Sequence, residues 1–265
     1  EKMLAAAAMG DHGDGHEGNE PSRTNSWQGL NGAQCKIGRY VAMDVGLVDA
    51  ALAAGLLGVD EDDAGKVDDL DGLPEGFLGA MIRYVSAHEV GHCMGLQHNF
   101  SASTIRPLAD INSGNYPADQ ATIGSVMEYQ GANINFNLGD KQGPFATPCV
   151  GPYDKWAICF GYGPDADRAK VLARVSEPDL IFHSDMTMSG PDPRAMVWDM
   201  GADPLQFAES RIELVNDLRG KIASDLVKDG QSWRKARQRY NALLSNQIQA
   251  MVIASRWVGG SYFNR

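Results

Sequence analysis

The chain has 265 residues, 43% of them hydrophobic, enough to form a sizeable core in one large domain or two smaller ones. Its formal net charge of −11 disfavours non-specific binding to nucleic acid and to anionic membrane surfaces. No apolar run approaches the ~18–20 residues of a membrane-spanning helix, and the alanine run after Glu1-Lys2-Met3 is too brief for a signal peptide.

Residues 1–32 are rich in Gly, Asp, Asn and Ser and read as a polar leader. The run Asp11-His12-Gly13-Asp14-Gly15-His16-Glu17 carries metal-binding side chains, but so many glycines make ordering costly. A mobile loop is the expectation there. Residues 33–57 read as a helix, because Ile37, Val41, Val45, Val48, Leu52 and Leu56 recur at spacings of three and four. Gly38, Gly46 and Gly55 interrupt that pattern, and Gly58 offers a stop. Residues 60–71 are strongly acidic. Asp60, Asp62, Gly65, Asp68 and Asp71 fall at calcium-loop offsets, but Ala64 stands at a ligand position and Asp71 where Glu is usual. A solvated acidic loop is the expectation.

Pro74 to about Leu96 reads as a helix with apolar contacts from Leu78, Met81, Ile82, Val85 and Val90. Its end carries His88-Glu89-Val90-Gly91-His92-Cys93-Met94-Gly95-Leu96-Gln97-His98, the pattern H-E-x-x-H-x-x-G-x-x-H. Four-residue spacing puts His88 and His92 on one helix face, where two neutral imidazoles can meet one Zn²⁺. Glu89 is rotated by roughly 100°, so it misses the metal yet reaches a water beside it. Gly95 lets the chain leave the helix through a left-handed conformation and bring back His98 as a third ligand. Three protein ligands leave a fourth position open, as in catalytic rather than structural zinc sites. The rival reading, ordinary satisfied histidines, has to meet every positional demand of the motif by chance.

Ser125-Val126-Met127-Glu128-Tyr129 follows about thirty residues later, where a Met-turn belongs. Alone, Met127 reads as a core methionine. With the upstream motif it reads as the thioether floor beneath the imidazoles. The motif and turn resemble those of metzincins, some of which have a tyrosine at the place of Tyr129 that approaches the zinc or donates to the oxyanion. That resemblance makes Tyr129 a catalytic candidate, with a buried structural phenol as the alternative.

Residues 99–124 and 131–148 are turn-rich, with Asn112-Ser113-Gly114-Asn115 and Tyr116-Pro117. Short helices are expected at 154–160, after Pro152, and at 166–175. His183 stands alone in a mixed stretch and reads as structural. Two long helices, about 204–228 and 231–257, are expected to close the chain. The stripe Leu205, Ala208, Ile212, Val215, Leu218, Ile222 and Leu226 reads as core. No C-x-x-C occurs among the four cysteines. Cys93 is expected to pack as a small hydrophobe. Cys149 and Cys159 could pair in an oxidising compartment, which spacing alone leaves open.

The zinc motif and Met-turn resemble those of metzincins. His98-Asn99-Phe100-Ser101-Ala102-Ser103 and Gly151-Pro152-Tyr153-Asp154-Lys155-Trp156-Ala157-Ile158 are similar to segments of the large bacterial zinc-dependent metalloproteases with a met-zincin domain. So are Gly201-Ala202-Asp203-Pro204 and Val258-Gly259-Gly260. The resemblance spans roughly residues 28–265. It implies a mainly α fold, at most α+β: a metzincin-like core with active helix, Met-turn and helical C-terminal region. The substrate-pairing sheet that metzincins place upstream is expected to be reduced or missing, since few period-2 runs precede Pro74. The division expected is a leader over 1–32, a zinc-site region over 33–162 and a helical region over 163–265.

The function expected is zinc-dependent endopeptidase activity on a peptide or protein substrate. Zn²⁺ is held by His88, His92 and His98, with Glu89 as general base and Tyr129 assisting. No nucleic-acid partner and no membrane span are expected. The resemblance also implies an exported protein, periplasmic or extracellular, of which this chain is a part. The rivals are an inactive zinc-bearing peptide-binding module, a structural role for the helical half, and another hydrolase with the same zinc chemistry.

Overall fold

The computed structural model describes residues 35–55, 69–70, 72–135, 142–221, 230 and 232–263. The glycine-rich leader and the calcium-loop aspartates Asp60, Asp62, Asp68 and Asp71 lie outside these residues.

Helix α1 spans Ile37–Ala53 and runs unbroken through Gly38 and Gly46. It stops earlier than Gly58: Gly55 takes a left-handed φ of 67°, and its N–H donates to the Leu52 carbonyl at 3.0 Å. Asp69–Leu70 (β1) and Leu73–Pro74 (β2) form a two-residue antiparallel ladder, with Asp69 opposite Pro74 and Leu70 opposite Leu73. Among the described residues this is the sole strand pairing, so the fold is mainly α, as expected.

Helix α2, Glu75–Cys93, follows directly, its extended N-cap Pro74 lacking the N–H that a helix start cannot pair anyway. Beyond it the described residues up to Gly151 are irregular, apart from a 3₁₀ turn at Ala102–Ile105 and a single turn, α3, at Leu108–Ile111. Then come α4 (Pro152–Tyr162), α5 (Asp165–Leu172) and α6 (Asp185–Met188). The long helices α7 (Pro204–Lys221) and α8 (Trp233–Arg256) close the fold. Ser232 caps α8 by accepting from the Arg234 N–H at 3.2 Å.

The main core joins Ile37, Val41 and Leu47 of α1 to Phe77, Leu78, Met81 and Tyr84 of α2. Phe100, Ile123 and Tyr129 from the irregular chain enter it, with Leu214 and Leu218 of α7 and Leu243 of α8. A second cluster gathers Ile111, Met196, Trp198 and Met200 against Phe207, Ala208, Ala250 and Ile253. Gly46 explains why α1 tolerates a glycine in its middle. A Cβ there would stand 2.6 Å from that of Ala242, so the glycine lets α1 and α8 approach closely. Between the clusters, Asp44 and Arg211 form a fully buried pair with Nη1 and Oδ1 3.9 Å apart. Asp44 accepts from the Ala132 N–H at 2.8 Å and the Trp198 indole at 3.1 Å, while Arg211 donates to the Ala132 carbonyl.

Several expected contacts turn outward. Ile82 and Val90 are 54% and 59% exposed, because α2 buries the face of Phe77, Leu78, Met81, Tyr84 and His88 instead. Leu205 is likewise exposed, and the α7 face that is buried runs through Phe207, Ala208, Arg211, Leu214, Val215 and Leu218. Cys93 is exposed rather than packed. All four cysteines are free, so Cys149 and Cys159 do not pair.

Candidate metal centre

The end of α2 turns as its sequence demands. The Leu96 N–H bonds to the Gly91 carbonyl and the Gly95 N–H to that of His92, each at 3.0 Å, while Gly95 adopts a φ of 81°. This is a Schellman ending, which glycine completes without steric cost. The chain then folds back, and His98 comes to face His92.

Each imidazole is oriented through its Nδ1. His88 Nδ1 lies 2.7 Å from the Val126 carbonyl, His92 Nδ1 3.2 Å from that of Leu96, and His98 Nδ1 2.8 Å from an Asp185 carboxylate oxygen. An oxygen acceptor at Nδ1 calls for a proton there, which leaves every Nε2 with a bare lone pair. His92 and His98 nonetheless bring their Nε2 atoms to 3.1 Å of each other. Two lone pairs at that range repel unless a cation stands between them. Tetrahedral zinc with Zn–N bonds of ~2.0–2.1 Å would set ligand nitrogens ~3.3 Å apart, so the donors fit the ion in chemistry and spacing. Burial, with the neighbouring imidazoles adding to it, lowers the His88 pKa to about 3, and burial lowers that of His98 against the opposing pull of Asp185. Neutral imidazole is the form that ligates metal.

Met127 is fully buried, against the helix that carries His88 and His92. Its sulfur packs against Gly91, where a Cβ would stand 2.3 Å from it. The turn carrying Met127 is fixed from the side by Asp154 of α4. That carboxylate accepts from Ser125 Oγ at 2.5 Å and from the N–H groups of Val126 and Gly151 at 2.8 Å. Glu128 points away from the cluster, into a buried carboxylate pair with Asp199. Burial first, then the negative neighbour, raises its pKa strongly.

Tyr129 turns back toward the imidazoles, its hydroxyl 3.0 Å from His98 Nε2. Burial raises its pKa, so the phenol stays protonated and able to donate. Behind it, the Trp198 N–H donates to the Tyr129 carbonyl at 2.6 Å, from a residue with a left-handed φ of 63°. Such a conformation costs about 1–3 kcal/mol and persists only where its surroundings enforce it. Glu89 is exposed on the open side of the cluster, accessible to solvent water.

The structure thus brings His88, His92, His98, Glu89 and Tyr129 together, with Met127 packed on Gly91 of the same helix. It also brings in Cys35, which the motif gave no reason to choose. One donor atom each from Cys35, His88, His92 and His98 falls within 4.8 Å of the others. Cys35 Sγ lies 3.4 Å from His88 Nε2 and 3.3 Å from a Glu89 oxygen, onto which it donates. Asp185, likewise unforeseen, comes from α6, 87 residues beyond His98. Neither sits in a local pattern that could have pointed to it. His183 stays outside, buried between Ser101 Oγ at 2.6 Å and Asp192 at 3.4 Å, in a packing role.

No described helix is long and apolar enough to cross a membrane. Comparison with curated proteins and with solved structures returned no match. The family model described as Met-zincin matches residues 71–265, from just before α2 to the last residue, leaving α1 and Cys35 outside the match. A metzincin-type peptidase-like domain therefore extends over that span, and the chain belongs to the Met-zincin family.

Proposed function

We propose that the chain is a zinc-dependent endopeptidase. The observation that supports this most is the convergence of three Nε2 lone pairs beside an exposed carboxylate and a protonated phenol. His88, His92 and His98 would hold the metal, each oriented by an oxygen at Nδ1. Zinc, when bound, supplies Lewis-acid activation, bringing the pKa of its water toward ~7 and polarising a carbonyl. Glu89 takes the proton of the attacking water and hands it to the leaving nitrogen. Tyr129 donates a hydrogen bond to the oxyanion. Asp185 and the Val126 carbonyl keep the imidazoles aimed, so little reorganisation is needed at the reacting centre.

Glu89→Ala tests this reading against a quenched random-peptide library, with zinc content measured in parallel. Zinc should stay at one equivalent while cleavage falls by roughly 10²–10⁴-fold, the usual worth of general acid–base catalysis. Unchanged cleavage sinks the assignment. A second reading, a zinc-bearing peptide-binding module, draws support from the strand content. Among the described residues no strand exceeds two residues, so they offer no long edge against which a substrate backbone could pair. That reading calls for zinc and peptide affinity without turnover, with or without Glu89. Export as part of a longer protein follows from the resemblance and is tested by fractionating cells and locating the protein.

A further inference from the structure

Cys35 and Lys36 precede the first turn of α1, and between them they engage three parts of the site. Cys35 Sγ stands 3.4 Å from His88 Nε2 and donates to a Glu89 carboxylate oxygen at 3.3 Å. The Lys36 N–H donates to the Tyr129 hydroxyl at 2.8 Å. So the metal-binding nitrogens, the general base and the oxyanion donor each face this one segment. The thiol also has the spacing of a ligand. Zn–S of ~2.3 Å and Zn–N of ~2.0–2.1 Å in a tetrahedron set sulfur and nitrogen ~3.6 Å apart, close to the distance observed.

From this we infer that Cys35 is the fourth protein ligand of the metal, and that the Cys35-Lys36 segment holds the site closed. The inference rests on the zinc reading above and concerns how that site is regulated. Three histidines and a thiolate make a complete tetrahedral set, which leaves no position for a catalytic water. On ligating, the thiol releases its proton to solvent and sulfur gives an electron pair to zinc, with no change of oxidation state. Glu89 loses its partner thiol proton and is left as an exposed carboxylate with no metal-bound water to act on. Opening needs little motion. Ile37 is anchored in the core, 3% exposed, so rotation about the Cys35 side-chain bond and release of one backbone hydrogen bond suffice. The thiol comes from outside the span that matches the family model.

The test is zinc-edge X-ray absorption on the zinc-loaded full chain, beside Cys35→Ala and the control Cys93→Ala. Cys93 is the neighbouring exposed thiol, outside the cluster. The expected spectrum of the unaltered chain has one sulfur at ~2.3 Å and three nitrogens at ~2.0–2.1 Å. The sulfur should vanish in Cys35→Ala and persist in Cys93→Ala. In the same samples, cleavage of the peptide library should rise on the order of tenfold or more in Cys35→Ala, as the open state becomes the populated one. A spectrum of nitrogen and oxygen alone overturns the ligand assignment and leaves the zinc site standing. Equal cleavage rates, including none in either protein, overturn the closure. Absence of stoichiometric zinc from all three proteins removes the metal reading itself.

Discussion

Two regions of this molecule invert the usual relation between regularity and burial. Residues 121–134, which contain the Met-turn, form no helix or strand, yet every one of them is buried. Helix α8 is 24 residues long and regular throughout, yet Tyr240, Leu244, Ile248, Met251 and Val252 are 42–58% exposed along it. The irregular stretch bears the cost of burying unpaired backbone, and it meets that cost with side chains. Asp154 accepts from Val126, Glu128 from Tyr129, Tyr84 from Gln130 and Asp44 from Ala132. Those four groups come from α4, the turn itself, α2 and α1. The site is thus built into a loop whose shape is imposed from several directions, whereas α8 satisfies its own backbone and needs one buried face to dock.

The difference is open to experiment. The largest effect is expected where the loop's support is a buried charge. Arg211→Met leaves Asp44 without its counter-ion and should lower the unfolding free energy by about 3–5 kcal/mol, read from denaturant melts. A loss below 1 kcal/mol would show that the pair does not brace the loop. Asp154→Ala strands the buried N–H groups of Val126 and Gly151 and should cost about 2–4 kcal/mol. It should also weaken zinc retention, because Val126 is the residue that orients His88.

An effect of another kind is expected from pH. Burial lowers the His88 pKa from 6.5 to about 3, so the unfolded chain binds its proton first as pH falls. The metal-free protein should therefore lose stability as pH falls from about 6.5 toward 3, and His88→Gln should flatten that part of the profile. Thermal melts in chelator across that range read the slope, and an identical slope in the variant contradicts the assignment. The smallest effect is expected on α8. Ile248→Lys alters a half-exposed stripe and should shift stability by no more than ~0.5 kcal/mol.

These effects follow how much of the molecule was legible beforehand. The helices could be read because each carries its own period, and α2 could be read to its final turn because His88 and His92 obey helix spacing and Gly95 marks the exit. Tyr129 and Met127 are singled out in the sequence by their spacing from that motif. What could not be read is the set of partners drawn from far along the chain. Asp185 reaches His98, Cys35 reaches His88 and Asp44 reaches Ala132. No local pattern encodes such meetings, since they exist only once the irregular chain has been packed. The outward faces of Ile82 and Val90 were misread for the same reason: periodicity marks an apolar face but does not say what will cover it.

The central claim is that the imidazole cluster is a zinc centre. Its most direct test is a competition titration of the metal-free full chain with zinc against a chromogenic chelator, repeated for His92→Ala. The account expects one equivalent bound tightly by the unaltered chain, with affinity lost by at least the 10–100-fold typical of removing even a supporting group. Equal affinity in the two proteins, or no stoichiometric binding in the first, would contradict it.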